Sequence, residues 1–165
     1  MNVEKLRLEK ILFECDKHID KLNTAHQKLQ PLFPLNSIRY QRFSDDEMSY
    51  LDQYLYRFSK LQDSIGQKLF KAVLDYKKEE TTTKSFIDIL NRLAQLGYVQ
   101  DVDGWFGLRV LRNQLAHDYE DDDEELVGVI NKIFAEKAKL ESYYFSIIKT
   151  LGVIANAGTI SLNLP

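Results

Sequence analysis

Apolar residues recur along most of this chain at steps of three and four, and the breaks in that rhythm divide it into five helical segments. The first runs from about Val3 to Leu29, with Leu8, Ile11, Leu12, Cys15, Ile19 and Leu22 on one stripe. Pro31 and Pro34 stop it, because proline lacks an amide donor and clashes with the preceding turn. The connector from Gln30 to Phe43 is apolar for a loop, with Leu32, Phe33, Leu35, Ile38 and Tyr40, and is expected to pack down over the bundle end. Ser44-Asp45-Asp46-Glu47 has the spacing of a capping box and starts a second helix. Met48, Leu51, Leu55, Phe58, Leu61, Ile65, Leu69 and Val73 hold its stripe for roughly seven to eight turns at the 3.6-residue period. Beside that stripe run Tyr50, Tyr54 and Tyr76, expected at the rim with wet hydroxyls, and a polar set of Arg57, Gln62 and Asp63.

A charged, threonine-rich loop from Lys77 to Thr83 separates this helix from a third, about Lys84 to Leu96, which Gly97 ends. Asp101 or Asp103 caps a fourth. The acidic run Glu120 to Glu125 opens a fifth, about Asp123 to Lys149, where carboxylates favour the positive end of the helix dipole. Periodicity is lost from Ala155 to Pro165, which reads as a frayed or docked tail. No segment alternates convincingly as a strand. The pattern therefore predicts an all-α fold, an antiparallel bundle of four to five helices in one domain spanning residues 1–165.

Composition leaves that picture intact and narrows the chemistry. At 44% hydrophobic and 28% charged residues the chain is of the ordinary globular class. No apolar run approaches the ~20 residues of a membrane span. The charged start, Met1-Asn2-Val3-Glu4-Lys5, enters an amphipathic pattern instead of an apolar leader, so export is not expected. Cys15 is the only cysteine and sits where a buried small residue belongs; with no export signal, this predicts a cytoplasmic protein. His18 and His26 have no partner at ligand spacing, so neither a metal site nor a cofactor is expected. A net charge of −3 argues against a dedicated duplex-DNA binder but leaves room for an enzyme that meets RNA through a local basic site.

Reactive side chains crowd into one stretch, Leu111-Arg112-Asn113-Gln114-Leu115-Ala116-His117-Asp118-Tyr119. On a helix Leu108, Leu111 and Leu115 fall together with Trp105 beside them, forming the seam to the bundle core. Phe106, Val110, Asn113 and His117 fall on roughly the opposite side. A helix with two apolar faces needs two covers, and the same helix of a second subunit is an economical one, so a homodimer with His117 near its interface is expected. Arg112 and His117 are five residues apart, ~140° around an unbroken helix. They meet in one cleft only if the helix unwinds near Ala116-His117 or a partner subunit completes the site.

Arg112-Asn113-Gln114-Leu115-Ala116-His117 resembles the R-x4-6-H motif of the HEPN superfamily of helical-bundle proteins, and its extension through Tyr119 is similar to the HepT toxins encoded beside an MNT-type nucleotidyltransferase antitoxin. Arg57-Phe58 and Asp63 of the second helix also resemble the corresponding helix of such proteins and are candidates for the same cleft. The resemblance implies the toxin of a type VII-like toxin–antitoxin pair, a metal-independent endoribonuclease with its site assembled across a dimer. In that reading Arg112 and His117 are catalytic, Asn113 and Asp118 support them, and Tyr119 accepts AMP from the antitoxin. The acidic run beside the motif favours an alternative, a HEPN-like protein without nuclease activity that serves as the substrate-binding partner of a nucleotidyltransferase. A plain helical interaction module is the third reading.

Overall fold

The computed structural model of the protein describes residues 2–117, 119–156 and 159–162, with side chains through Val153. The fold is all-α, a helical bundle closed by a short hairpin. Helix α1 spans Val3–Leu29 and buries the expected stripe, Leu8, Leu12, Cys15, Leu22 and Leu29 being fully enclosed. Burial pushes the Cys15 thiol up to about 12, so it is a small apolar residue in effect. A 3-10 turn, Gln30–Leu32, ends α1 at the prolines.

The connector folds down as its composition suggests, and it also contains a short helix that the pattern did not mark, α2, Ser37–Gln41. Phe33 stacks on Phe134 with ring centroids 3.7 Å apart. The Asn131 amide clamps the Leu35 backbone, accepting from its N–H at 2.8 Å and donating to its carbonyl at 2.9 Å. Ile38 stays exposed.

The second long helix runs from Asp45 to Tyr76 in three registers: α3, Asp45–Asp63, a π segment, Ser64–Leu69, and α4, Phe70–Tyr76. Its capping box is complete, Ser44 Oγ accepting from Glu47 N–H and Glu47 from Ser44 N–H. It lies antiparallel to α1, since His18 meets Arg57 while the earlier Glu14 meets the later Ser64. Of the tyrosines beside its stripe, Tyr50 is half-buried as a rim residue is, while the other two depart from the rim expectation. Tyr54 and Tyr76 are buried, Tyr54 under a further helix to whose Phe134 carbonyl its hydroxyl donates at 3.3 Å.

Helix α5, Phe86–Gln95, carries its own capping box of Ser85 and Asp88 and ends before Gly97, whose φ of +85° is the left-handed turn that glycine allows. Helix α6, Val102–Leu115, is capped by Asp101. The expected fifth helix is two, α7, Asp123–Ala135, and α8, Lys137–Leu151. They break at Glu136, whose N–H is shared between the carbonyls of Lys132 and Ile133. No glycine or proline marks the place, so the apolar rhythm runs through it. The chain then turns at Gly152 into an antiparallel hairpin of β1, Val153–Asn156, and β2, Thr159–Leu162, with Val153 paired to Leu162 and β2 lying against α1. Part of the stretch read as a tail is thus strand, in segments of four residues too short for alternation to reveal. Among the described residues no helix is long and apolar enough to cross a membrane.

The π segment meets α6 through a close contact of Gly66 with Trp105. A Cβ on Gly66 would lie 2.8 Å from Trp105 Cζ2, and Trp105 is wedged between Phe70 and Tyr143 and cannot yield. Gly→Ala inside a helix ordinarily stabilises by roughly 0.5–1 kcal/mol. Gly66→Ala should do the opposite and destabilise by about 1–3 kcal/mol through overpacking; a urea midpoint at or above that of the wild type would refute the wedge.

Candidate functional site

Helix α6 is fixed at its start. Asp101 accepts from the Gly104 N–H at 2.9 Å, and the Tyr143 hydroxyl of α8 donates to the Asp101 carbonyl at 2.6 Å. One turn on, Trp105 packs edge-on against Phe70 and Tyr143 at 4.9 and 5.1 Å between centroids. With the first turn held this way, the helical period aims Arg109 and Arg112, which follow Trp105 on the same face, at the π segment, with Asn113 at the edge between this face and the second. An open cleft of about 690 Å³ lies between them, lined on the opposite side by Gln62, Asp63, Gly66, Gln67 and Lys71.

Asp63 holds Arg112 from across the cleft, with Nη2 to Oδ2 at 3.3 Å and Nε to Oδ1 at 3.5 Å. Both contacts are long for a guanidinium–carboxylate pair, and both side chains are about one-third exposed. Pairs in such settings contribute at most about 1 kcal/mol. The carboxylate therefore orients Arg112 through a weak pair. Arg109 is exposed and lies over the rings of Phe86 and Phe106, 5.2 and 5.9 Å from their centroids. Lys71 pairs with Asp75 at 2.8 Å. The lining thus sets Arg109 and Arg112 against the carboxylate of Asp63, with Lys71 matched by Asp75, which leaves a small positive excess on a chain of net charge −3.

The helix ends at Leu115, next to Ala116-His117, where an unwinding is one of the two ways for Arg112 and His117 to meet. Its last turn tightens into 3-10 bonds, Ala116 N–H to Asn113 carbonyl and His117 N–H to Gln114 carbonyl, each at 3.2 Å. The Tyr119 hydroxyl comes back to the same Gln114 carbonyl at 2.6 Å and closes the end. His117 is exposed, its ring 6.4 Å from that of Tyr119. It does not line the cleft, and among the described residues no hydrogen bond joins it to Arg112. Asp118 lies outside the described residues. On the second face of α6, Phe106 is half covered by an edge-on contact with Phe86 at 6.1 Å, while Val110, Asn113 and His117 are exposed.

Of the two candidates on the second helix, Asp63 is in the cleft and Arg57 is not. Six residues of helix turn through ~600°, which puts them on different faces. Arg57 faces α1 instead, its Nη1 3.0 Å from His18 Nδ1. Arg109 and Lys71 were not singled out by the sequence. Arg109 had a signal, three residues before Arg112 on the same face; Lys71 had none, since only the packing of α4 on α6 brings it there. Among the described residues no group of three His, Cys, Asp or Glu could hold a metal ion. Comparison with known protein families, with curated proteins and with solved structures finds no match for this chain.

His18 has its own consequence. It is buried, its Nε2 has no hydrogen-bond partner, and that atom is 3.8 Å from Glu14 Oε1. Burial first, then the Arg57 guanidinium, holds its pKa below the ordinary value, and burial lowers His26 likewise. The folded state then binds fewer protons than the unfolded one, so stability is lost as pH falls through the unfolded value of about 6.5 toward the lower folded one. Urea midpoints should drop between about pH 7.5 and about pH 5.5, and His18→Gln, which keeps an acceptor for Arg57, should flatten the drop in part; an unchanged slope in that variant would remove His18 as a cause.

Proposed function

We propose that this chain is a metal-independent endoribonuclease of the HEPN type, the toxin of a pair whose antitoxin is an MNT-type nucleotidyltransferase, acting as a homodimer in the cytoplasm. The observation that carries the reading is Arg112, aimed into an open, positively charged cleft by a carboxylate that a phosphate can replace. In RNA the 2′-hydroxyl attacks the neighbouring phosphorus as the bond to the 5′-oxygen breaks, so the enzyme has only to move protons and stabilise charge. Arg112 binds the phosphate and the charge developing on it, for which its planar fork of donors is suited. His117 takes the proton of the 2′-hydroxyl or gives one to the departing 5′-oxygen. Asn113 orients the backbone, and the expectation for Asp118 is a supporting role beside His117.

His117 stands clear of the cleft of its own subunit, and Val110, Asn113 and His117 leave an exposed stripe along α6. Both features support a site in which His117 of one subunit serves Arg112 of the other. The same features, together with the Asp63–Arg112 pair and the acidic run at Glu120 to Glu125, support the second reading, a non-cleaving partner that only binds a substrate for the nucleotidyltransferase.

Expression should arrest growth and cleave RNA, and either Arg112→Ala or His117→Ala should reduce cleavage by about a hundredfold or more. Cleavage that persists in both variants would sink the catalytic assignment, and none from the wild type would leave the binding partner. Mixing the two variants should restore activity, because one mixed site receives Arg112 and His117 from opposite subunits; two intact halves within one subunit would give no rescue. Incubation with the nucleotidyltransferase and ATP should add AMP to Tyr119 by mass spectrometry, and modification only elsewhere would reject that tyrosine as the acceptor.

A further inference from the structure

One side chain of the cleft is left wanting by the fold. Gln62 is 3% exposed, lines the cleft, and its Oε1 has no hydrogen-bond partner. A buried amide oxygen without a donor costs about 1–3 kcal/mol, where a leucine of similar size would cost nothing of the kind. The amide sits deep, while Arg109, exposed, and Arg112, about one-third exposed, stand at the rim. Between depth and rim Phe86 presents a half-buried ring, with the buried rings of Phe70 and Trp105 behind the wall. A ligand matching this order is planar and apolar on its faces, carries donors and acceptors on its inner edge, and bears an anion at its outer end.

We propose that the cleft holds one nucleobase, read on its hydrogen-bonding edge by Gln62, with the attached phosphate on Arg112 and Arg109. The primary amide offers a donor and an acceptor side by side, the pairing that base edges present. The volume of about 690 Å³ admits one nucleotide. Gln62 is then a specificity-determining residue: it selects the base beside the phosphate held by Arg112, a role that rests on the reading of Arg112 as a phosphate ligand. The nucleotide comes either free or as one unit of a strand.

Trp105 is the only tryptophan of the chain and lies behind the cleft wall, so its fluorescence reports occupancy. The full chain is titrated with AMP, CMP, GMP and UMP, with ribose 5-phosphate, and with 2′-O-methyl trinucleotides that cannot be cleaved. At least one mononucleotide should saturate the signal at a concentration about tenfold or more below ribose 5-phosphate, and Gln62→Leu should erase that preference while keeping or raising the urea midpoint. Gln62→Met serves as a second variant if leucine disturbs the fold. A trinucleotide binding tighter than the mononucleotide identifies the source as a strand, and equal binding as a free nucleotide. No response to any nucleotide, ribose 5-phosphate binding as well as the nucleotides, or both variants binding like the wild type would overturn the proposal. Nothing is cleaved in this titration, so it fails or succeeds independently of the nuclease: a chain that cuts RNA with the same base preference in Gln62→Leu loses the base site and keeps the catalytic reading.

Discussion

The contact between Gly66 and Trp105 sets the geometry on which the rest of this molecule depends. Because the π segment offers a glycine there, α6 comes close enough for its tryptophan to wedge between Phe70 and Tyr143. The wedge fixes the rotation of α6 about its own axis, and rotation decides which way every later side chain points. Tyr143 adds a second restraint by bonding the Asp101 carbonyl at the first turn. Arg109, Arg112 and Asn113 therefore face a cleft whose far wall is the helix that Gly66 belongs to. Packing and placement of charge are one event here.

The electrostatics of that cleft are balanced toward exchange. A carboxylate at 3.3 Å and about one-third exposed aligns a guanidinium while binding it only weakly, and that weak hold is what the proposed exchange with a phosphate requires. The contrast with Lys137 and Glu141 on α8 is instructive. Those two meet at 2.6 Å and are largely buried, so they form a structural tie with nothing to exchange for.

Much of this was legible in the residues themselves. The buried stripes of α1 and α3, the Ser44 capping box, the stop at Gly97 and the cap at Asp101 all follow from local rules, because each depends on a few neighbours in sequence. Asp63, Arg112 and Asn113 share the cleft. Arg57, grouped with Asp63 by adjacency, is turned to α1 by the helical period. What stayed hidden depends on partners distant in sequence. Tyr54 and Tyr76 look like rim residues until α7 and neighbouring segments cover them, and Lys71 joins the site only once α4 lies beside α6. The break at Glu136 carries no glycine or proline, and the strands after Gly152 are too short for a period of two to stand out.

The π segment also sets the rotation of α4 relative to α3. Its defining bond, from the Phe70 N–H to the Ile65 carbonyl, spans five residues instead of four. Closing Ser64–Leu69 into a regular α register with every residue kept would swing everything after it by ~100°. Phe70, Val73 and Leu74 would leave the interior, Lys71 would leave the cleft, and Trp105 would lose the aromatic ring it leans on. Loss of one residue from the segment would instead offset that closure and leave the later faces near their present positions, so it is the wide turn, and not chain length alone, that keeps core and cleft in phase.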